Sequence, residues 1–508
     1  MTAPTRAQIT ADVTLPTFTV EVYTGASWVD VSADVVTVDH AMEATGDLAG
    51  FGFGVSRGAT ASVTFDAPQF ATEWRGTPIR IKYGFSTSTK HERFVGIITG
   101  RSRSAEGGTW RCGGIDVRIE GAKLWSPPLS AFYRRPMATA TGAATAEDPA
   151  MPGYDRGMFN WICWQTGGRP YEQAASYPNA VYYYSAEHAL IAPEFSWVAG
   201  ENAWEELGRL CRACGGQVYQ DDLGVLRYVS PTGLARTSPT HTYTDTPQTA
   251  AQRAANGTEH YADISEDSNL ESVLTGVTVP FVRRIVGGVQ EIYTDQTPRT
   301  VAAGVTATLT LDTQLPLFSF DRAEVECAVL RTVRKVNPAE AVVTASSVAA
   351  QRVLITVQNT LAEPIQINAV KLFGRPVSAG EEGSAYYSTS GVLQTGRTQE
   401  APDNPYIQTE AHARMLARML FDFYVGDRGL VSLTGCMYDP DRIVGEPVYL
   451  TYSGWAETAE LCRIVAIRPS GGDSMDVDLG RADGLPVRDQ HFLIGTTYAS
   501  ADTRALSY

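Results

Sequence analysis

The stretch Ala61-Ser62-Val63-Thr64-Phe65 alternates apolar and polar side chains residue by residue. Because successive side chains of a strand point to opposite faces of a sheet, the alternation predicts an antiparallel strand with one buried and one solvated face. The same pattern recurs around it at 18–22, 28–31, 79–81 and 115–119. We therefore predict that residues 1–130 form a small β-barrel or β-sandwich.

Similar strand patterns fill most of the remaining chain. One group lies at 305–311, 353–357 and 365–372, and another closes the chain at 448–450, 462–467 and 477–479. No helical period interrupts residues 286–377, which we predict to be an inserted β-sandwich. The protein is thus expected to be mainly β with a few short helices, and to have several domains.

Three segments space their apolar residues as helices do. The clearest is 202–214, with Asn202 as N-cap and Gly215-Gly216 at its end, and the others are an amphipathic helix at 158–165 and one at 409–423. A hairpin follows at 217–229, with its turn at 221–224. We predict a small α+β domain at 131–265, with a loose loop or arm at 134–157 and a polar connector at 243–268.

Composition restricts the class of function. A formal net charge of −15 without a dense Lys/Arg run argues against nucleic-acid binding. Seven scattered cysteines, an odd number without a secretion signal, argue against a disulfide framework. No stretch is long and apolar enough to span a bilayer, so we expect a soluble protein made in the cytosol.

Several short motifs could carry chemistry, but each has a simpler structural interpretation. Cys211 and Cys214 form a CxxC at a helix end, where the dipole does not lower a thiol pKa, and no second Cys or His pair could complete a zinc site. Asp221-Asp222 lies in the predicted hairpin turn. Glu205-Glu206 lies on the solvated first turn of the helix. We expect neither pair to work as a general acid and base.

Other candidates are equally weak. His188, beside Glu187, is the best catalytic histidine but has no nucleophile in a convincing motif. Ser56 lies in a GxSxG string, yet a strand follows it where a nucleophile elbow needs a helix. The glycine-rich run 50–54 has no helix behind it to hold a phosphate, and is predicted to be a loop or bulge.

An aromatic cluster, consisting of Trp161, Trp164, Tyr182, Tyr183 and Tyr184, could stack on a sugar. Such clusters are commoner in cores and subunit interfaces. We therefore predict no catalytic, cofactor-binding or metal-binding residue, and no enzyme.

The order of several segments resembles that of the phage tail hub family, also called tail-associated or baseplate hub proteins. The opening β region contains Trp28-Val29-Asp30-Val31-Ser32, Gly76-Thr77-Pro78-Ile79-Arg80-Ile81 and Phe94-Val95-Gly96-Ile97-Ile98. The helix from Ala203, the glycine pair and the hairpin with Asp222-Leu223-Gly224-Val225-Leu226 resemble the family's second domain. Later matches are Ile443-Val444-Gly445-Glu446-Pro447-Val448, where the family usually has Gly-Asp, and the ending Phe492-Leu493-Ile494-Gly495, which is similar to that of minor tail proteins.

This resemblance implies a homotrimer at the virion tail tip, in which each subunit carries two tube-like β domains and three subunits match the hexameric tail tube. The first would be 1–130, and the second would combine 266–285 with 378–490, including helix 409–423, around the inserted sandwich 286–377. Residues 491–508 would form a separate C-terminal segment. The implied partners are the tail tube protein, the distal tail protein, the tape measure protein and a tail fibre or tip spike.

The resemblance also implies that DNA passes through the ring without specific binding. From the net charge we add the hypothesis that part of the acidic surface lines this channel and repels DNA. Two other classes of function remain open. One is a tail-tip hydrolase of cell wall or polysaccharide, which would need a carboxylate pair or a metal in a cleft. The other is a receptor- or glycan-binding minor tail protein, or a distal tail protein.

Overall fold

The structure is a computed structural model, and it describes part of the chain. The described residues are 16–43, 54–56, 58–65, 74–85, 90–104, 107–120, 122, 124, 137–138, 157–175, 180–187, 189, 193–195, 202–230, 238–239, 241–249, 257–267, 274–388, 397–424, 430–437, 439, 442–454, 459–469 and 474–481. The predicted mainly β character is confirmed, with four α-helices among these residues. No described helix has the length and apolar character needed to cross a membrane.

Among the described residues, eight strands precede residue 114. They are β1 (Pro16–Tyr23), β2 (Trp28–Asp30), β3 (Val35–Glu43), β4 (Gly54–Val55), β5 (Thr60–Phe65), β6 (Pro78–Phe85), β7 (His91–Ser104) and β8 (Gly107–Gly113). In β5 the side chains of Ala61, Val63 and Phe65 are buried, as their alternation predicts. Phe65 packs on Trp110 of β8 with ring centroids 4.0 Å apart.

The middle of the chain combines three helices with a small sheet. Its elements are α1 (Ile115–Ile119), α2 (Met158–Gln165), β9 (Gly168–Pro170), β10 (Tyr182–Ala186), α3 (Ala203–Cys214), β11 (Gln217–Gln220) and β12 (Val225–Val229). The sheet has the order β4-β11-β12-β10-β9. The ends of α3 are as predicted, since the Asn202 side chain accepts hydrogen bonds from two backbone amides and Gly215 is left-handed with φ 68°.

The remaining elements are β13 (Thr242–Thr244), β14 (Thr258–His260), β15 (Asp263–Asp267), β16 (Leu274–Val286), β17 (Gln290–Asp295), β18 (Arg299–Val301), β19 (Thr306–Asp312), β20 (Leu317–Val329), β21 (Ala341–Ala349), β22 (Arg352–Asn359), β23 (Ile365–Tyr387), β24 (Arg397–Glu400), α4 (Glu410–Tyr424), β25 (Leu430–Met437), β26 (Pro447–Thr451), β27 (Glu460–Pro469) and β28 (Ser474–Arg481). Strands β16, β17, β18, β20, β23 and β24 form one sheet, and β19, β22 and β21 form another. An apolar cluster between residues 301 and 372 is separate from the main core.

Three local predictions were wrong. The segment Ile115–Ile119 is a helix, in which Ile115 and Ile119 lie one turn apart on the buried face while Val117 is exposed. The helix α2 is not amphipathic, because six of its eight residues are buried. The segment 243–268 is more than a connector, since β13, β14 and β15 belong to the large sheet.

In the part of the chain that the structure describes, the large sheet has fourteen strands and consists of two halves with the same strand order. The first half-sheet runs β3-β5-β8-β7-β6-β1-β2, and the second runs β15-β25-β28-β27-β26-β13-β14. We number the seven strands of each half from 1 to 7 in the order in which they occur in the chain. Across the sheet, both halves then have the order 3-4-7-6-5-1-2. The fold therefore contains an internal topological repeat, although β13 runs opposite to the direction of its counterpart β1.

Details of the repeat agree at the residue level. Gly76 and Gly445 both have positive φ, and each donates a backbone hydrogen bond of 2.8 Å, to Ile98 and Ile464 respectively. Each is followed after one residue by the proline that begins β6 or β26. The pairing of β7 with β8 shifts between Ile98 and Gly100, and that of β27 with β28 shifts between Ile464 and Ala466. The two halves thus share a turn and a bulge as well as an order of strands.

Two predicted segments lie wholly or mostly outside the described residues. Residues 491–508 are outside them, and of the predicted arm at 134–157 only Met137, Ala138 and Gly157 are inside. These three are buried, and the backbone oxygen of Met137 accepts a hydrogen bond from the Phe159 amide.

Candidate functional site

A buried ion pair joins the first half-sheet to the small sheet. Arg93 projects from β7, and its Nη1 lies 2.5 Å from an oxygen of Asp222 in the β11–β12 turn. The same guanidinium donates to the backbone oxygens of Arg442, at 2.7 Å, and of Asp439, at 3.3 Å. Those two residues belong to the β25–β26 connection of the second half-sheet. One side chain therefore joins the two half-sheets and the small sheet.

The network continues within the second half-sheet. Arg442 donates from Nε to Asp439 at 2.9 Å and also pairs with Glu446. His241, just before β13, has its Nε2 2.5 Å from Glu259 of β14 and 3.9 Å from Asp439. We call the set Arg93, Asp222, His241, Glu259, Asp439, Arg442 and Glu446 the junction. All of its members except the half-buried Glu446 are buried.

Burial sets the electrostatics of the junction. It raises the pKa of Asp222, against the opposing effect of Arg93. Burial alone would lower the pKa of Arg442, but the carboxylates of Asp439 and Glu446 outweigh it and the pKa is raised. Buried charges are tolerated only when they are paired and hydrogen-bonded, so the junction holds its parts in one fixed arrangement.

The junction also contains a ligand set of the kind that metal ions use. One ligand atom from each of His241, Glu259 and Asp439 lies within 4.8 Å of the others. These atoms are engaged with protein groups, because the Asp439 oxygen accepts the Arg442 hydrogen bond and His241 contacts Glu259 directly. The guanidinium already supplies a cation beside Asp439, and we interpret the set as part of the ion-pair network.

A cavity of about 460 Å³ lies beside the junction, between the small sheet and the second half-sheet. Its charged lining residues are Glu187, Asp221, Arg227, Glu446 and Arg463. Burial raises the pKa of Asp221 to about 6, although Arg227 opposes this. One Asp221 oxygen accepts the Val225 amide at 2.8 Å and the other accepts Arg227 at 2.7 Å. Both oxygens therefore have structural partners, which is not the environment of a general acid or base.

The hairpin β11–β12 is docked on β7 by further contacts. The Gln220 amide nitrogen donates to the backbone oxygen of Val95 at 2.7 Å, and its side-chain oxygen accepts from the Ile115 amide at 2.7 Å. Gly224 has φ 70°, and a Cβ there would lie 2.5 Å from Val95. The close approach of the turn to β7 requires glycine at this position.

Helix α3 is docked on the segment that leads into α4. Tyr406 donates to Glu206, and Asn404 donates to the backbone oxygen of Arg209 at 2.7 Å. His412 of α4 lies 2.9 Å from the backbone oxygen of Ala213 through its Nε2. The His412 contact satisfies the Ala213 carbonyl in the last turn of α3, and the three contacts together fix the position of the helix.

Of the residues weighed from the sequence, the cysteine pair lies as expected. Cys211 and Cys214 are buried at the end of α3, and burial raises the pKa of the Cys214 thiol. The Asp221-Asp222 pair does form the hairpin turn, but its two arginine partners were not foreseen. Glu205 is exposed as predicted, whereas Glu206 is buried, because it points towards Tyr406 and Arg209.

The other candidates are not brought together. His188 and Arg57 lie outside the described residues, as do glycines 50 and 52. Ser56 is buried after the short strand β4 and is followed by β5 and not by a helix, so it does not lie on a nucleophile elbow. In the aromatic cluster Trp161, Tyr182 and Tyr184 are buried, and Trp164 stacks on Trp161 with centroids 5.6 Å apart.

The junction residues Arg93, His241, Glu259, Asp439 and Arg442 were missed by sequence reasoning. A weak signal existed for two of them, because Tyr243 and Tyr261 alternate with polar neighbours in a segment assigned to a connector. For Arg93 no local signal exists, since its partners are 129 and 349 residues away in the chain.

Comparison with known proteins gives structural matches only. No protein-family model matches the chain, and no curated protein matches it in sequence. One matching solved structure is a tail protein from Neisseria meningitidis MC58, 8% identical with a TM-score of 0.46, over 92% of this chain and 97% of that one. Another is the 43 kDa tail protein of prophage MuSo2 from Shewanella oneidensis, 9% identical with a TM-score of 0.47, over 92% of this chain and 100% of that one. Both of these solved structures are tail proteins.

Proposed function

We propose that the protein is a structural component of a phage-type tail, a hub at the tail tip that assembles as a homotrimeric ring. Each subunit contributes its two half-sheets, so the ring presents six similar β units to a hexameric tail tube. DNA passes through the ring without specific binding. The neighbours in the tail are the tube, distal tail and tape measure proteins and a fibre or spike.

The observation that carries the proposal is the repeated strand order of the two half-sheets. A trimer can match a sixfold partner only if each subunit offers two equivalent units. The shared turn at Gly76 and Gly445 and the shared bulge support this equivalence.

The junction supports a structural role. The ion pair of Arg93 with Asp222 and the hydrogen bonds of Arg93 to two backbone oxygens connect the two half-sheets and the small sheet at one point, and removal of one partner from a buried ion pair is strongly unfavourable. Such a connection suits a part that must keep its shape while a tail ejects DNA. The engaged oxygens of Asp221 give less support to the alternative of a tail-tip hydrolase.

The test is the mass of the purified full-length chain in solution. We expect a particle of three times the 54.9 kDa chain mass by native mass spectrometry, and a ring with near-sixfold density by electron microscopy. A monomer at every concentration would overturn the proposal. Clearing of peptidoglycan or capsule by the same preparation would favour the hydrolase.

A further inference from the structure

The inserted region ends in three loops that lie beside the start of β23. They connect β18 with β19 (302–305), β20 with β21 (330–340) and β22 with β23 (360–364). Asn359 is fully buried, and its side-chain nitrogen donates to the backbone oxygens of Ala302, at 3.0 Å, and of Glu363, at 2.9 Å. The Thr360 hydroxyl donates to the Glu340 backbone oxygen at 2.9 Å. We call these three loops, which the bonds hold together, the tip.

The tip lies at the outer end of the inserted region. Strand β23 begins next to it at Ile365 and pairs with β16 only from Val377 onwards, where Val377 lies opposite Val286. The strand segment between Ile365 and Val377 reaches up to about 40 Å at about 3.3 Å per residue. The tip is therefore at the opposite end of this segment from the main body.

Val333 in the tip has an unfavourable backbone conformation. Its φ is 54°, and it is the only described residue other than glycine with a positive φ. The left-handed region is strained for a β-branched residue, whereas glycine adopts it freely. The Val333 side chain is 79% exposed, the highest fraction among the described large hydrophobic residues, so packing within the fold does not offset the strain. Strain that the fold does not use points to a role outside the fold.

Other apolar residues of the tip are exposed together with Val333. Leu330 is 44% exposed and Val305 is 47% exposed. Smaller exposed residues of the tip are Ala302, Ala303, Pro338, Ala339 and Ala362. Exposed apolar surface that is concentrated in one place marks a contact with another molecule or with a membrane.

The charge of the tip is opposite in sign to that of the whole chain. Its basic residues are Arg331, Arg334 and Lys335, all exposed, and its acidic residues are Glu340 and Glu363. Arg334 is paired with Glu340 through two contacts of 3.0 Å, one from each Nη atom. Arg331 and Lys335 lie two positions either side of residue 333, and they leave the tip with a net positive charge on a chain of net charge −15.

We propose that the tip binds the surface of a lipid bilayer that contains anionic headgroups. Val305, Leu330 and Val333 enter the boundary between headgroups and acyl chains, where their side chains leave water. Arg331 and Lys335 lie at the level of the lipid phosphates and pair with them. A bilayer accepts the ends of loops without a complementary groove, and its negative charge matches the positive tip. The inference goes beyond the proposed function and does not depend on the ring.

Vesicle flotation with the full-length protein tests the proposal. Vesicles of phosphatidylcholine mixed with phosphatidylglycerol should carry the protein to the top of a density gradient, and vesicles of phosphatidylcholine alone should carry less. Leu330→Ser/Val333→Ser should weaken binding to the mixed vesicles by about tenfold or more, because two apolar side chains no longer leave water. The control Leu315→Ser/Val348→Ser changes the same two residue types at exposed positions outside the tip, and should bind like the unchanged protein.

Two further variants separate the contributions. Arg331→Gln/Lys335→Gln should remove most of the preference for the mixed vesicles. Val333→Gly should weaken binding while its thermal unfolding temperature stays the same or rises, because glycine relieves the strained φ. The proposal is overturned if the unchanged protein does not float with the mixed vesicles, or if Leu330→Ser/Val333→Ser binds them as well as the control does.

Discussion

Arg93 shows how a single side chain can determine the relation between distant parts of a chain. It is 3% exposed, and its partner Asp222 is 5% exposed. In that setting a charge without its counter-charge is far more costly than a missing contact. We predict that Arg93→Met, which keeps the stem but leaves Asp222 uncompensated, lowers the free energy of unfolding by about 3–5 kcal/mol.

Urea unfolding followed by fluorescence measures this loss. The matched control is Arg352→Met, which breaks the surface pair of Arg352 with Asp312 and should cost less than about 1 kcal/mol. Equal costs for the two variants would mean that the junction is solvated and does not hold the parts together.

His412 makes stability depend on pH. Burial lowers its pKa to about 4, and its Nε2 lies 2.9 Å from the Ala213 oxygen. In the unfolded chain the imidazole takes up a proton below about pH 6.5, whereas in the folded protein it stays neutral down to about pH 4. Its contribution is therefore complete above pH 6.5 and is lost as the pH falls towards 4. Asp221, with its raised pKa, works in the opposite direction between about pH 4 and 6.

We predict that His412→Gln, which keeps a donor for Ala213, reduces the stability difference between pH 7.5 and pH 5 by about 2 kcal/mol. Denaturant unfolding at the two pH values measures the difference. His260→Gln, a half-buried site on β14, serves as the control and should behave like the unchanged protein. An unaltered pH dependence in His412→Gln would show that this imidazole is protonated in the folded state.

At the scale of elements, the repeat contains two equivalent glycines that differ in how closely other atoms pack against them. Gly76 and Gly445 have φ +78° and +89°, and both precede the first strand residue by two positions. A Cβ on Gly76 meets no atom within 4 Å, whereas one on Gly445 would lie 2.6 Å from the Tyr219 hydroxyl oxygen. The first glycine is required by backbone conformation alone, and the second also by packing against the small sheet.

We predict that Gly76→Ala costs about 1–2 kcal/mol from the left-handed conformation. Gly445→Ala should cost about 1–3 kcal/mol more, because Tyr219 must move. Thermal unfolding of the two variants gives the comparison. Equal losses would contradict the close packing of the small sheet on the second half-sheet.

Elements with strong end signals could be predicted from the sequence almost to the residue. Helix α3 is such a case, because Asn202 and Gly215 determine its ends by short-range bonds. The segment Ile115–Ile119 could not be assigned in this way, since apolar residues at alternate positions also lie one helical turn apart. The short strand β13 exists through pairing with β14 and with β26, which lies about two hundred residues later.

At the scale of the whole molecule, the chain enters and leaves the inserted region at neighbouring residues of β16 and β23. Val286 pairs with Val377, and the Gly287 amide donates to the Pro376 oxygen at 2.9 Å. The two strands are close enough at that point for a two-residue turn. We predict that replacing residues 287–376 by Asn-Gly leaves a folded chain that still forms the proposed trimer.

Circular dichroism and native mass measurement test the shortened chain. A small loss of stability is expected, because Phe195 of the main body packs against Ala350 and Phe318 of the insertion. An aggregated or unfolded product would show that the insertion is part of the central core.

The repeat of the two half-sheets could not be predicted from the sequence. Their shared pattern is short, a glycine, any residue, a proline and an apolar residue at 76–79 and 445–448. The equivalent strands are otherwise different in sequence, and the insertion separates β15 from β25. Strand order depends on pairings between distant residues, which local composition does not encode.

The length of strand β23 affects how the inserted region is connected to the main body. It has 23 residues and pairs with β18, β17 and β20 in the inserted region, and then with β16 towards the main body. At about 3.3 Å per residue such a strand reaches up to about 75 Å. Its backbone is hydrogen-bonded to neighbouring strands along its course, so one continuous strand belongs to both regions. Helix α4 packs against the end of this strand through Phe421 and Tyr387, so a displacement of the insertion would reach α4 along one continuous backbone.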